Sequence, residues 1–266
     1  MRVALAFLKR DFLIATSYKT AFILQFAGIF FAVPFFHFIS ALVGDSQAPM
    51  LAKYGGSYFV FLLIGIAFTD YLALSLKTFN DSLRESQLMG TLETILLSPT
   101  SVPRLLFYSS LWGYLSTTVR FVLYLAIGLL FGLDLSNANA LAGVTVLLAA
   151  IVSFASMGIL VAAVTLVIKK GELLTSAVSA ASAMLSGVVY PIEVLPSWLQ
   201  FIAKFLPMTY ALDGMRLALS DGQGLTELLP QIGILLLFSV VLLPIGLVAF
   251  WLSLRWTKIS GTLGQY

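Results

Sequence analysis

The chain of 266 residues is 60% hydrophobic and only 10% charged, whereas a soluble domain averages about 25% charged residues, so an ordinary soluble globule is excluded. Six membrane spans at about 20 apolar residues each need on the order of 120 residues, which the length accommodates. The formal net charge of +3 is not gathered into the Lys/Arg stripe that nucleic acid requires, and with no Cys and one His, His37, disulfide frameworks, thiolate chemistry and His-rich metal sites are excluded.

In chain order, Arg2–Lys19 sets Val3, Leu5, Phe7, Leu8, Phe12 and Leu13 among basic residues, predicting a helix in the membrane interface over residues 1–19. Its scattered charges leave no apolar core for a cleavable signal peptide. Long uncharged runs predict six spans: Ala21–Val43, Tyr58–Leu76, Leu105–Leu133, Leu141–Ile168, Leu173–Tyr190 and Leu228–Leu254. Between the second and third, Ser82 with Glu85 fits a capping box, Leu88, Leu92 and Leu96 recur every four residues, and Pro99 ends the run, so a short amphipathic helix is expected within 81–100. The segment 191–219 is hydrophobic but broken by Pro191, Pro196 and Pro207 and carries Glu193, Lys204, Asp213 and Arg216, too interrupted to cross a bilayer alone. The expected fold class is an all-α polytopic membrane protein with a single transmembrane domain over 1–266. Eleven of the fifteen basic residues fall in the N-terminus, 77–104, 169–172 and the C-terminus, and the positive-inside rule then puts both termini in the cytoplasm.

Two stretches are more specific. Glu85, then Gly90-Thr91-Leu92-Glu93, then Leu96-Leu97-Ser98-Pro99 resembles the E-x(4)-G-T-L-E-x(2)-L-L-x-P segment of ABC-2 type permeases. Ser186-Gly-Val-Val-Tyr-Pro191, Leu195-Pro196-Ser-Trp198-Leu199 and Pro207-Met-Thr209-Tyr210 through Asp213 to Arg216 are similar to that family's S-G-x(2)-[FY]-P, L-P-x-W-L and P-x-T-Y-x(3)-D-x(2)-R sequence. The resemblance implies a cytoplasmic coupling helix docking to an ATP-binding subunit through Glu85, Gly90, Thr91, Leu92 and Glu93. It also implies a re-entrant helix pair on the outer side before the last span, where Pro191, Trp198, Pro207, Tyr210, Asp213 and Arg216 either anchor the pair or gate an outer exit. No G-x(4)-G-K-[ST] occurs, so ATP and Mg are expected on a partner subunit, with no cofactor or metal on this chain. The implied assembly is two ATP-binding subunits with two permease copies, identical or different, in the plasma membrane of a bacterium or archaeon, in contact with lipid and not with nucleic acid.

Single residues leave alternatives open. Asp70 and Arg120, deep in two spans, read as a charge pair or as the lining of a path for an anionic head group. Phe22, Phe26 and Phe30 recur at spacing four, for lipid, helix packing or a substrate path. The small residues Ser179, Ala183 and Ser186 allow close helix approach, and by resemblance their helix lies beside the dimer interface and path. Gly128 and Gly132 form a G-x(3)-G that is frequent by chance. His37 reads as a packing residue rather than a proton relay. Asp213 and Arg216 stand at i, i+3, within reach of each other on a helix. The expected function is the permease subunit of an exporter for an amphipathic, lipid-like, drug-like or lipid-linked glycan substrate. The alternative, an ion-coupled secondary transporter, ordinarily shows broken helices in two halves, and only one broken segment occurs here.

Overall fold

A computed structural model of the chain describes residues 2–44, 48–88, 102–168 and 171–259. These are helical, with no strand among them: α1 (Arg2–Ser17), α2 (Lys19–Val43), α3 (Ala48–Leu51) with a following 3-10 turn Ala52–Tyr54, α4 (Tyr58–Leu88), α5 (Val102–Leu130), α6 (Ala140–Ile168), α7 (Gly171–Leu185), α8 (Ser197–Ala203), α9 (Pro207–Ser220) and α10 (Leu229–Ile259). α2, α4, α5, α6 and α10 each contain a stretch long and apolar enough to cross a membrane.

The fifth expected span is different. α7 has 15 residues, about 22 Å at about 1.5 Å per residue, against roughly 30 Å of hydrocarbon. It stops because Gly187 adopts φ +76°, a left-handed conformation that glycine takes without strain, and Pro191 follows. Of the six expected spans, the described residues therefore show five as candidate spans and the remaining one as the shorter α7. The helix expected to start at a capping box on Ser82 also differs: α4 runs unbroken through Ser82 and Glu85 to Leu88, because no Gly or Pro stands between Leu76 and Leu88 and Lys77 reaches Asp81 one turn on at 3.9 Å. The G-x(3)-G in α5 is a helix end. Gly132, at φ +92°, lets Leu133 N–H turn back to the Gly128 carbonyl at 2.9 Å.

α4 is the most buried span and α2 the least. Phe61, Leu63, Ile64, Phe68, Tyr71, Leu72 and Leu76 of α4 are fully enclosed. Small residues of α6 bring two neighbours close: a Cβ on Gly158 would collide with the Ser75 carbonyl oxygen of α4, and one on Gly246 of α10 would lie 3.4 Å from the Ser156 carbonyl oxygen. Polar contacts fix the register of α4. Tyr71 Oη donates to Thr118 Oγ1 of α5 at 3.1 Å, Ser75 Oγ and Tyr114 Oη of α5 are 2.8 Å apart, and Asn80 Nδ2 donates to Thr175 Oγ1 of α7 at 2.8 Å. α1 packs on the start of α5 through Phe7 against Tyr108 and Phe12 against Trp112. At the opposite, distal end, Asn139 N–H bonds the Ala218 carbonyl at 2.9 Å, and Gly222 at φ +68° lies against the Asn137 backbone, so the α5–α6 loop and α9 close together there. The core forms around α4, with α5, α6, α9 and α10 contributing to it.

Gly158→Ala is expected to destabilise the purified protein by about 1–3 kcal/mol through overpacking against α4. Gly233→Ala, which adds a Cβ to open space, should be neutral or stabilise by up to about 1 kcal/mol through helix propensity. Melting in detergent reads both, and equal shifts would contradict the close α4–α6 approach.

Candidate functional site

Two groups of polar residues stand out. In the first, Arg120 Nη2 of α5 lies 2.6 Å from Asp70 Oδ2 of α4, each side chain about a quarter exposed. Measured from the distal helix ends, Asp70 is 12 residues in and Arg120 10 residues in, about 18 and 15 Å at about 1.5 Å per residue, so antiparallel helices bring them level. Asp70 Oδ2 and Arg120 Nε have no aligned hydrogen-bond partner among the described residues, which makes the contact a charge pair rather than a directed hydrogen bond. Its physical effect is to leave no net charge at that depth.

The second group gathers at the distal end. Asp213 of α9 accepts from Lys53 Nζ at 2.6 Å and from Tyr54 Oη at 2.7 Å, both on Oδ1, and from Gln231 Nε2 of α10 at 2.9 Å on Oδ2. One carboxylate thus joins the turn after α3, α9 and α10. Burial would raise its pKa, but the Lys53, Gln231 and Tyr54 donors outweigh burial and hold it below the ordinary carboxylate value. Burial and the neighbouring Asp213 raise the Tyr54 phenol, so it stays protonated and donates.

One turn further along α9, Arg216 is buried at 3% exposure. Its Nη1 donates to the Gly187 carbonyl at 2.9 Å, and its Nη2 to those of Phe61 at 2.9 Å and Val188 at 3.1 Å. The guanidinium lies 3.3 Å over the Phe61 ring. Burial lowers its pKa to about 9, which leaves it charged at neutral pH. Gly65 makes this arrangement possible, since a Cβ there would collide with the Val188 carbonyl oxygen and press on Arg216 Nη2. Tyr58 Oη adds a bond to the Val189 carbonyl at 3.0 Å. Between this turn and the α8–α9 pair lies a cavity of about 340 Å³, lined among others by Ser186, Pro191, Glu193, Lys204, Tyr210 and Arg216.

Residues 3–219, most of the chain, match the ABC-2 type transporter family. The chain belongs to the ABC-2 type transporter family. A 69-residue stretch is also 38% identical to the linearmycin resistance permease protein LnrN of Bacillus subtilis (strain 168); it covers 26% of this chain and 18% of that protein's length. The family and the five candidate spans make the chain a multi-pass membrane protein.

Within this ABC-2 permease, Ser186, Pro191, Tyr210, Asp213 and Arg216 meet around one cavity. Pro207 is the buried first residue of α9, and Trp198 is 64% exposed away from the cavity. Asp213 and Arg216 do not pair with each other: their side chains diverge, one to the Lys53 turn and the other to the 187–188 carbonyls, because each finds partners that the α9 backbone alone does not offer. Of the residues read as a dimer face or path, Phe30 is exposed, Phe26 lies half-buried with its ring against Phe22, and Ser179 and Ala183 are half-buried on α7. His37 packs its ring against Phe59 and Phe131. Glu85 lies on the final turn of α4, whereas Gly90, Thr91, Leu92 and Glu93 lie outside the described residues. Sequence reasoning missed Lys53, Tyr54, Gly65, Gln231 and the helix-linking Tyr71, Tyr114 and Asn80. A solitary Lys beside a Tyr and two glycines in the first distal loop was the available signal for the first two.

Asp213→Ala is expected to destabilise by about 1–3 kcal/mol, because it strips Tyr54 and Gln231 of their buried acceptor. Lys53→Met should cost less than about 1 kcal/mol, because the ammonium is 53% exposed. Since the Asp213 pKa is lowered on folding, its contribution is complete above the ordinary carboxyl pKa of 3.8 and is lost as pH falls through the folded value. Acid titration of melting should therefore show a smaller loss below that pH in Asp213→Ala than in the parent.

Proposed function

We propose that this chain is the permease subunit of an ABC exporter, with both termini on the cytoplasmic side of a bacterial or archaeal plasma membrane. The match over residues 3–219 to the ABC-2 type transporter family carries this reading. Two permease copies, identical or homologous, form the path, and two copies of a separate subunit supply ATP hydrolysis with Mg. Local similarity to a linearmycin resistance permease supports a drug-like or lipid-like amphiphile as cargo, ahead of a lipid-linked glycan.

Coupling enters through Glu85, on the final turn of the long α4, and through Gly90, Thr91, Leu92 and Glu93, which come next in the sequence. A displacement delivered there acts on a helix with no Pro along its length and with side-chain contacts to α5 and α7, so it moves the bundle instead of bending one strut. Asp70 with Arg120 gives a polar station on the α4–α5 face that is neutral as a pair. The faces bearing Phe26, Phe30, Ser179 and Ala183 meet the second permease copy or line the path. The distal cluster around Asp213 and Arg216 forms the outer gate, where release requires the α8–α9 pair to shift.

In vesicles containing the permease and its ATPase partner, Glu93→Arg is expected to lower ATP-driven export of a fluorescent amphiphile, or to reduce co-purification of the ATPase, by on the order of tenfold, as charge reversal at an interface does. Melting of the isolated permease should be unchanged. Unaltered transport and co-purification in that variant would overturn the coupling assignment.

A further inference from the structure

The distal cavity holds polar atoms that the fold does not use. Arg216 commits its two terminal nitrogens to three backbone carbonyls, but its Nε–H has no acceptor among the described residues, and no carboxylate lies within ion-pair distance of it there. Ser186 is 1% exposed, and its hydroxyl likewise has no partner. Both residues line the cavity, and they are held side by side, because Arg216 bonds the carbonyl of Gly187, the residue after Ser186. Two donors without a protein partner thus lie enclosed in the wall of the cavity, beside a buried positive charge. Lys204, exposed and lining the same cavity, adds a second cation at the mouth. Against these stand two carboxylates: Asp213, whose oxygens already accept from Lys53, Tyr54 and Gln231, and Glu193, exposed.

We infer that this cavity is a binding site for a phosphate oxyanion, either on the head group of an amphiphile or free. Idle buried donors beside an unpaired guanidinium call for an acceptor that brings negative charge. A phosphate brings three or more acceptor oxygens to the Arg216, Ser186 and Lys204 donors of this wall, whereas a carboxylate has two to divide among them. The volume of about 340 Å³ leaves room for a glycerol-sized portion beyond the phosphate, and the Tyr54 and Phe61 rings on the wall suit its carbon atoms. The site goes beyond the export reading, since binding stands whether or not the ligand is transported.

The test uses the full chain purified in detergent, titrated calorimetrically with dihexanoyl phosphatidic acid, with dihexanoylglycerol as the same molecule without phosphate, and with inorganic phosphate. Phosphatidic acid is expected to bind and dihexanoylglycerol not to bind. Ser186→Ala should weaken binding by about fivefold, as for loss of one neutral donor. Glu193→Gln should tighten it by about twofold through removal of an exposed like charge. Inorganic phosphate that binds with the same sensitivity to Ser186→Ala assigns the site to the free anion, and binding of the lipid alone assigns it to a head group; either result upholds the oxyanion site. Equal binding of the diglyceride, or an affinity for phosphatidic acid indifferent to both substitutions, overturns it.

Discussion

The distal half of the molecule depends on one requirement: the carbonyls of an unwound stretch must find donors inside the protein. Backbone that is not helical has no internal partners for its polar groups, and near lipid there is no water to replace them. Residues 187 and 188 are such a stretch, and Arg216 supplies what they lack, with a third bond to Phe61 on α4. A guanidinium suits this task because its donors are fixed in a planar fork and it stays charged when buried; an ammonium concentrates its donors on a single nitrogen. Gly65 is the complementary condition, since only a residue without Cβ lets the turn come close enough to α4 to share that donor. The short α7, the α8–α9 pair and the cavity beneath them all follow from this clamp.

Charge is placed with corresponding economy. On the α4–α5 face Asp70 and Arg120 cancel each other, so the pair adds polarity without net charge. At the distal end a single carboxylate, Asp213, draws donors from three separate elements. Its most exposed partner, Lys53, contributes least to stability and can most readily let go. The more enclosed partners, buried Tyr54 and half-buried Gln231, seat α9 on the first distal loop and on α10 independently of Lys53. The result is a tether with a firm inner part and a loose outer part.

What was legible in the sequence follows from the range of the forces involved. Apolar runs located α2, α4, α5, α6 and α10, because burial in lipid or protein selects composition residue by residue. The broken segment 191–219 was visible because Pro191, Pro196 and Pro207 act locally. The end of α7 was placed too late, since Val188 and Val189 extend the apolar run even though the Gly187 backbone has already left the helix. The supposed start at Ser82 failed for the opposite reason: a capping box is only a pattern until the Ser leaves helical geometry, and here it does not. The i, i+3 spacing of Asp213 and Arg216 puts the two side chains within reach of each other, but spacing reports reach and not competition. Lys53 and the carbonyls of Gly187 and Val188 lie 160 and fewer than 30 residues away, and only the folded chain shows that they win.

α4 links these features mechanically. At 31 residues it is about 46 Å long at about 1.5 Å per residue, and the Arg216 clamp and the Asp70–Arg120 pair both touch it. Phe61 and Gly65 meet the Arg216 clamp, Asp70 meets Arg120, Ser75 meets Tyr114 and Gly158, and Asn80 meets Thr175. A helix with no Pro and with its one glycine closed in by the 188 carbonyl has no place at which to kink. Its unbroken backbone spans the distance from Leu88 to the distal clamp. The contacts on α4 differ in kind: α5 and α7 are held by polar bonds near its middle and lower turns, while α2 meets it by packing alone, the His37 ring on Phe59 included. In lipid, where apolar contacts between helices gain little over apolar contacts with lipid, that difference ties α5 and α7 to α4 more specifically than α2.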